Sequence, residues 1–296
     1  MKSIRVDTEI PLIALPTILL SFLSFFIWIS MFYFRMFMGI PFYITLVPST
    51  VSTYLAFTPL HDAIHGSISK YKRINNIPAY LASVQYFYSP YSIFRILHLL
   101  HHRYTNDSEL DPDYYSTSRY TLFLPVKWLS HIFHYFTHFY NIRHKYHRES
   151  KDLLYWYLIF VLPILAVFPT TDLLILWLIP SHIAITFMVF MFDYIPHKPH
   201  VITRKQNKYM CSNIVDSVFS EDINIGEIPH ESFLLSIFTL NQSYHSIHHL
   251  FPRIPFYKYH KIWKKYSIDF KKMGVPSVPI VEKPNIELHS CLKYTD

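Results

Sequence analysis

Residues 98–107 read HLLHHRYTND, and residues 241–249 read NQSYHSIHH. The two stretches share one pattern, H-x-x-H-H, at His98, His101, His102 and again at His245, His248, His249. On a helix the outer histidines of each pattern are four apart and the middle one is three from the first, so three imidazoles converge over one turn. His61 and His65 add an i, i+4 pair on one helical face. Alone, that pair reads as two interfacial histidines; beside two matching triplets it completes a set of eight ligands. A ninth comes from Asp193-Tyr194-Ile195-Pro196-His197-Lys198-Pro199-His200. There His197 is the better candidate, and His200, beyond a second proline, is supporting or structural.

Imidazole in this density suits iron, copper, zinc or nickel, so ligand type does not choose the metal. Ligand number does more. A closed zinc site takes about four ligands, whereas eight or nine histidines fit two metals with positions left open for oxygen. Soluble di-iron bundles use several Glu and a repeated Glu-x-x-His; the one match here, Glu227-Ile228-Pro229-His230, contains a proline and reads as chance. Asp62, Asp107, Asp111 and Asp113 lie close enough in sequence to accept the free ring N–H of a ligand histidine, or simply to be solvated.

Working outward, 51% of the 296 residues are hydrophobic and the mean hydropathy is +0.17, too apolar for a soluble domain of this length. Uncharged stretches run Ile10 to Phe34, Met36 to Leu60, Leu153 to Thr171 and Leu173 to Phe192, each near the roughly 20 residues that cross a bilayer. The first is too long for the core of a cleaved signal and reads as a retained helix. Of 27 Lys and Arg, two precede the first stretch, Arg35 lies between the first two, eleven lie in 66–152 and thirteen follow the fourth. That excess puts both termini and the central segment on the cytoplasmic side. The expected fold is an all-α integral-membrane domain over 1–296. Four transmembrane helices form two hairpins (about 10–34, 36–60, 153–171 and 173–192), and a cytoplasmic helical cap (61–152 and 193–296) carries the histidine-rich two-metal site, di-iron by the resemblance described below. The net charge of +7 is spread around apolar spans rather than gathered on one face, which excludes nucleic acid as the partner. Cys211 and Cys291 lack metal-type partners and read as free thiols.

The other histidines carry weaker signals. His131, His134 and His138 share a helical face amid Phe133, Tyr135, Phe136, Phe139 and Tyr140, which reads as an aromatic helix in the headgroup region. His144 and His147 sit among Arg143, Lys145 and Arg148 and read as solvated. His182, inside the fourth span, needs a partner or a cavity: an interhelical bond or a substrate tunnel. His230, His260 and His289 have no ligand-like spacing. Lys258, Lys261, Lys264, Lys265, Lys271 and Lys272, interleaved with Tyr257, Tyr259, Trp263 and Tyr266, read as a membrane-surface helix or as a docking patch for an acidic electron donor.

HDAIHGS at 61–67, HLLHHRYTND at 98–107 followed by DPD at 111–113, DYIPH at 193–197 and NQSYHSIHHLFPRIPFYKY at 241–259 together resemble the membrane fatty-acid desaturase superfamily, which includes carotenoid hydroxylases and ketolases. The match spans roughly Thr58 to Lys261. The resemblance implies two iron ions held by His61, His65, His98, His101, His102, His197, His245, His248 and His249, with O2 as co-substrate. It implies that Asp193, four residues before His197, contacts a metal through water. Asp62 and His200 remain supporting residues. It also implies an oxidoreductase acting on lipid C–H bonds, foremost a fatty acyl desaturase. The three-residue gap in the first histidine box resembles the carotenoid hydroxylase or ketolase branch as much. His245 stands where front-end desaturases carry glutamine, and no fused cytochrome b5 motif is visible, so a separate donor such as cytochrome b5 or ferredoxin is expected. The expected location is a multi-pass membrane, that of the endoplasmic reticulum in a eukaryote. A metal transporter would place ionisable groups along its spans, where only His182 stands; a metal-stabilised scaffold would need a closed site.

Overall fold

The computed structural model describes residues 6, 8–219 and 233–281. Helix α1 (Leu15–Met38) has Pro16 in its first turn and ends on Gly39, whose φ of 66° is the left-handed cap that glycine accepts without strain. Pro41 then leads into α2 (Phe42–His65). The first reversal therefore falls at Gly39–Pro41, not at Arg35 as the charge pattern suggests. Arg35 lies in the last turn of α1, its Nε donating to Asp172 Oδ1 at 2.8 Å and its Nη1 to the Ile40 carbonyl at 3.3 Å. A charge paired in this way need not mark a helix end. The second hairpin is α6 (His147–Val167) and α7 (Thr170–His197), which reverses at Phe168 and Pro169. Asp172 belongs to the first turn of α7, where a carboxylate suits the positive end of the helix dipole. The Arg35–Asp172 pair thus brings the two reversals to the same end of the molecule.

By length and composition α1, α6 and α7 can cross a membrane. Helix α2 has the same 24 residues as α1 but is more polar. Its buried side carries Thr45, Ser49, Ser52 and Thr53, and α1 offers Thr17, Ser21 and Ser24. Small side chains of this kind let two helices approach closely, as they do inside a bilayer, and they also lower the hydropathy of α2.

The segment between the hairpins is itself helical: α3 (Lys72–Ser83), α4 (Tyr91–Tyr104) and α5 (Leu124–Ile142). Beyond α7 come α8 (Phe233–Phe238), α9 (His245–Leu250) and α10 (Tyr259–Lys272). The all-α expectation needs one correction. Strand β1 (Ile214–Phe219) pairs in parallel with β2 (Ser277–Val281), Ile214 opposite Ser277. Both stretches are rich in Val and Ile, which favour a pleated surface. Ala56, Phe57, Leu60, Met188, Phe192 and Ile195 lock the inner ends of α2 and α7 together. Ile247, Ile254, Tyr259, Trp263 and Phe270 anchor α9 to α10. Glu227, His230, His289 and Cys291 lie outside the described residues.

Candidate metal centre

Four elements deliver histidines to the end of the hairpins opposite the two reversals. The last turn of α2 carries His61 and His65, the last turns of α4 carry His98, His101 and His102, the end of α7 carries His197, and α9 carries His245, His248 and His249. Just before His197, Val189–Tyr194 form a π-helical turn, a widening that often marks functional segments of a helix. All nine side chains come together, but in two groups: His61, His65, His98, His102 and His248, and His101, His197, His245 and His249, with the ligand atoms inside each group all within 4.8 Å of one another. This refines the expectation that each triplet converges on one point. Positions i and i+4 fall about 40° apart around a helix, whereas i+3 lies about 100° from i+4. Each triplet is therefore divided: His98 and His102 serve one group and His101 the other, while His245 and His249 serve the second and His248 the first. The groups touch where His102 stacks on His249, ring centroids 4.3 Å apart.

The donor chemistry fits metal ions. His101 Nδ1 donates to Asp111 Oδ1 at 2.9 Å, His197 Nδ1 to the Cys211 carbonyl at 3.0 Å, and His248 Nδ1 to the Tyr259 hydroxyl at 3.1 Å. For His197 and His248 the bond sets the tautomer that turns an Nε2 lone pair inward, and for His101 it does so once the ring is neutral. There the Nε2 atoms crowd one another: His248 with His102 at 2.7 Å and with His61 at 2.9 Å, His65 with His98 at 2.9 Å, His197 with His245 at 3.0 Å, His101 with His249 at 3.2 Å. One neutral imidazole has one N–H, so His248 cannot donate to both facing nitrogens once its proton is spent on Tyr259. A cation at about 2.1 Å from each nitrogen would turn these facing lone pairs into bonds, with donors within roughly 4 Å of one another. Burial, helped by neighbouring histidines, pushes His98, His102, His248 and His249 well below the usual histidine range and His245 down to about 3, so these rings are neutral and ready to ligate. His101 differs: burial favours its neutral form, but the Asp111 and Asp113 carboxylates outweigh that and raise it to about 9.

The supporting residues sort unequally. Asp111 and Asp113 both face His101, the latter at 3.3 Å. Asp107 instead accepts the backbone N–H groups of Glu109 and Leu110. Asp62 points away from the rings; it accepts from Thr17 Oγ1 at 2.9 Å and from the Phe256 N–H at 3.3 Å, tying α2 to α1 and to the segment before α10. Asp193 joins Asp113 and His131 in a further cluster of possible ligand atoms, beside that of His101, Asp111 and Asp113. His200 is buried outside both groups and donates to the Tyr194 carbonyl at 3.1 Å.

His131 departs most from its expected place. It is 1% exposed, packed beside Asp113 and Asp193, and burial lowers it to about 3. Helix α5 turns His131, Ile132 and Phe139 inward while Val126, Leu129, Phe133 and Tyr140 stay exposed, so the histidine belongs to the interior and not to a headgroup face. Tyr135, one turn on, donates to Asp113. The recurrence of His131, Tyr135 and Phe139 at four-residue steps is the signal that marks this face in the sequence. Nothing in sequence spacing singles out Tyr259 or the Cys211 carbonyl. His144 and His147 are exposed, and His182 bonds to the Tyr88 hydroxyl at 2.8 Å.

Beside the centre lies an apolar cleft with an empty volume of about 850 Å³, its mouth included. Phe57, Leu97, Ile132 and Met188 line its walls, and His98, His131, Tyr135 and Asp193 line its polar inner side. Nine histidines in two groups that could each hold a metal ion thus stand at one end of helices long and apolar enough to cross a membrane, beside a greasy cleft. Residues 40–279 match the sequence model described as Fatty acid desaturase, most of the chain, and the protein belongs to that family. No curated protein matches it significantly.

Proposed function

We propose that this protein is a multi-pass membrane di-iron oxidoreductase that uses O2 to introduce a double bond into a fatty acyl chain. The observation that carries the reading is the contact between the five-histidine group and the apolar cleft, through His98. Helix α2 serves as the fourth span, its small polar residues packed against α1, and the histidines face the cytoplasmic side with the lysine-rich segments. When bound, the irons supply O2 activation and the oxidising power that removes hydrogen from a methylene. The chain's own work is to bind, orient and exclude water. His61, His65, His98, His102 and His248 would hold one iron; His101, His197, His245 and His249 the other. Phe57, Ile132 and Met188 admit an alkyl chain from the bilayer and shed its hydration, leaving a methylene beside His98. Desaturation consumes one O2, two hydrogens from adjacent carbons, two protons and two electrons from a separate carrier such as cytochrome b5 or ferredoxin, and gives two waters.

A second reading is a carotenoid hydroxylase or ketolase, kept by the His-x-x-x-His spacing of the first box. It differs by returning one oxygen atom to the substrate. Purified protein is expected to hold about two irons per chain, and lipid extracts of expressing cells to contain new acyl double bonds; oxygenated carotenoids would select the second reading. One zinc and no iron would remove both.

Asp193→Ala is expected to reduce turnover more than His200→Ala. Asp193 lines the cleft and meets Asp113, which supports His101, whereas the polar contact of His200 is a local carbonyl. Turnover of the two variants at matched iron content gives the ranking. Equal or reversed losses would place the water-holding group elsewhere.

A further inference from the structure

We propose that the exposed face of α10, with the neighbouring 203–210 loop, docks an acidic one-electron carrier protein and passes its electrons inward through Tyr259 to His248. The proposal rests on the oxidoreductase reading above and names the entry point that reading needs.

Helix α10 presents two opposed stripes. Tyr259, Ile262, Trp263, Ser267 and Phe270 are buried, while Lys261, Lys264, Lys265, Ile268 and Lys272 are exposed at helical spacing. Among the described residues none of these four lysines forms an ion pair with a carboxylate, and Asp269 is the single acid of the helix. The positive field extends sideways. The Met210 side chain lies against Gly274, just past the end of α10, and so brings the exposed Lys205 and Lys208 of its loop alongside.

Two occupants could answer such a charge: an anionic membrane surface or an acidic protein. A membrane-surface helix holds on by burying an apolar face in the headgroup boundary. In α10 that face is already spent, because Trp263 and Phe270 pack with Tyr259, Ile247 and Ile254 in the core. On the helix only Ile268, and on the loop Met210, set apolar surface among the lysines. The remaining surface is mainly charge, with no continuous apolar stripe, the kind that steers a soluble partner of opposite sign.

The interior side of the same helix reaches the metal centre directly. The Tyr259 hydroxyl accepts from His248 Nδ1 at 3.1 Å, and His248 Nε2 meets His61 and His102 of the five-histidine group. The Arg204 guanidinium, on the adjoining loop, donates to the His249 carbonyl at 3.2 Å. From the backbone of α10, across which the lysines lie, to a candidate ligand ring the route is one side chain and one hydrogen bond. In each encounter the reduced carrier is oxidised by one electron and the centre is reduced by one. Two encounters, with two protons from water, supply the reducing equivalents that one O2 takes beyond those leaving the C–H bonds.

The test uses the full chain in nanodiscs of neutral phosphatidylcholine, with the soluble haem domain of an acidic cytochrome b5 as probe. Lys261→Glu, Lys264→Glu and Lys265→Glu are combined. Equilibrium binding of the oxidised probe and oxidation of the reduced probe under O2 should each weaken by about tenfold or more at low salt, and the salt dependence of the wild type should disappear. Turnover with a small chemical reductant, iron content and affinity for phosphatidylserine vesicles should not change. Unchanged probe binding, a parallel loss with the chemical reductant, or a loss confined to phosphatidylserine binding would each overturn the proposal. A wild-type protein inert with both reductants would remove the oxidoreductase reading and the docking site with it.

Discussion

Alanine at His248 or His249 is expected to abolish product formation, with the membrane-inserted protein still accumulating. The two residues are neighbours on α9 yet serve different groups, His248 the five-histidine group and His249 the four-histidine group. Loss of a partner that merely supports a ligand histidine costs about 10–100-fold in metal affinity or activity, so loss of the ligand itself should exceed that. The same holds for His98, His101, His102 and His245, since each triplet feeds both groups. Insertion should survive because none of the six residues lies on α1, α6 or α7, the helices apolar enough to cross a membrane. His144→Ala, at an exposed position, is the control that keeps full turnover. The checks are metal content by mass spectrometry and product by lipid analysis. Full activity with normal iron in any two of the six variants would sink the ligand assignment.

The histidine triplets were legible from spacing because a chelating helical turn is a local pattern. The helical period already separates i+3 from i and i+4, but which histidines of different helices share a group depends on how α4 and α9 face each other. Asp62 shows the same limit: its neighbour His61 turns inward, but consecutive helical residues diverge by about 100°, which sends the carboxylate to Thr17. His131 was hidden by composition. Its aromatic neighbours suit a lipid surface, and although His131, Tyr135 and Phe139 recur at four-residue steps, it is the rotation of α5 against Asp113 and Asp193 that picks this stripe as the inward one. The first reversal was displaced because Arg35 finds its partner, Asp172, 137 residues away. The β1–β2 pairing also joins segments far apart in the chain, Ile214 with Ser277, and short apolar runs do not announce a parallel partner across such a gap. Tyr259 is only 11 residues from His248, yet their bond exists because α10 folds back over α9. What the sequence displayed was chemistry concentrated in local turns; what it withheld was the relative orientation of those turns.

Asp111→Asn is expected to weaken iron binding by roughly 10–100-fold, although the change keeps the shape of the side chain. Asp111 accepts three donors: His101 Nδ1 at 2.9 Å and the Asp113 N–H at 2.9 Å on Oδ1, and the Asn106 N–H at 2.7 Å on Oδ2. An amide has one oxygen and one NH2, so either orientation turns a donor toward a donor. Asp113, at 3.3 Å from the ring, compensates only in part. The charge matters as well as the hydrogen bonds. His101 is raised to about 9 because the two carboxylates outweigh its burial, so the metal-free protein holds a proton there at neutral pH, and an incoming metal must displace it. Wild-type affinity should therefore rise with pH up to about 9 and binding should release that proton. With Asp111 neutralised the ring titrates lower, fewer protons are released near pH 7.5, and the slope of affinity against pH flattens. Calorimetry in two buffers of different ionisation enthalpy reads the released proton directly. A loop that had merely loosened would lose affinity without changing the proton count, and Asp107→Asn, which disturbs only the Glu109 and Leu110 amides, marks that background. Unaltered proton release with full iron affinity in Asp111→Asn would show that His101 does not depend on this carboxylate.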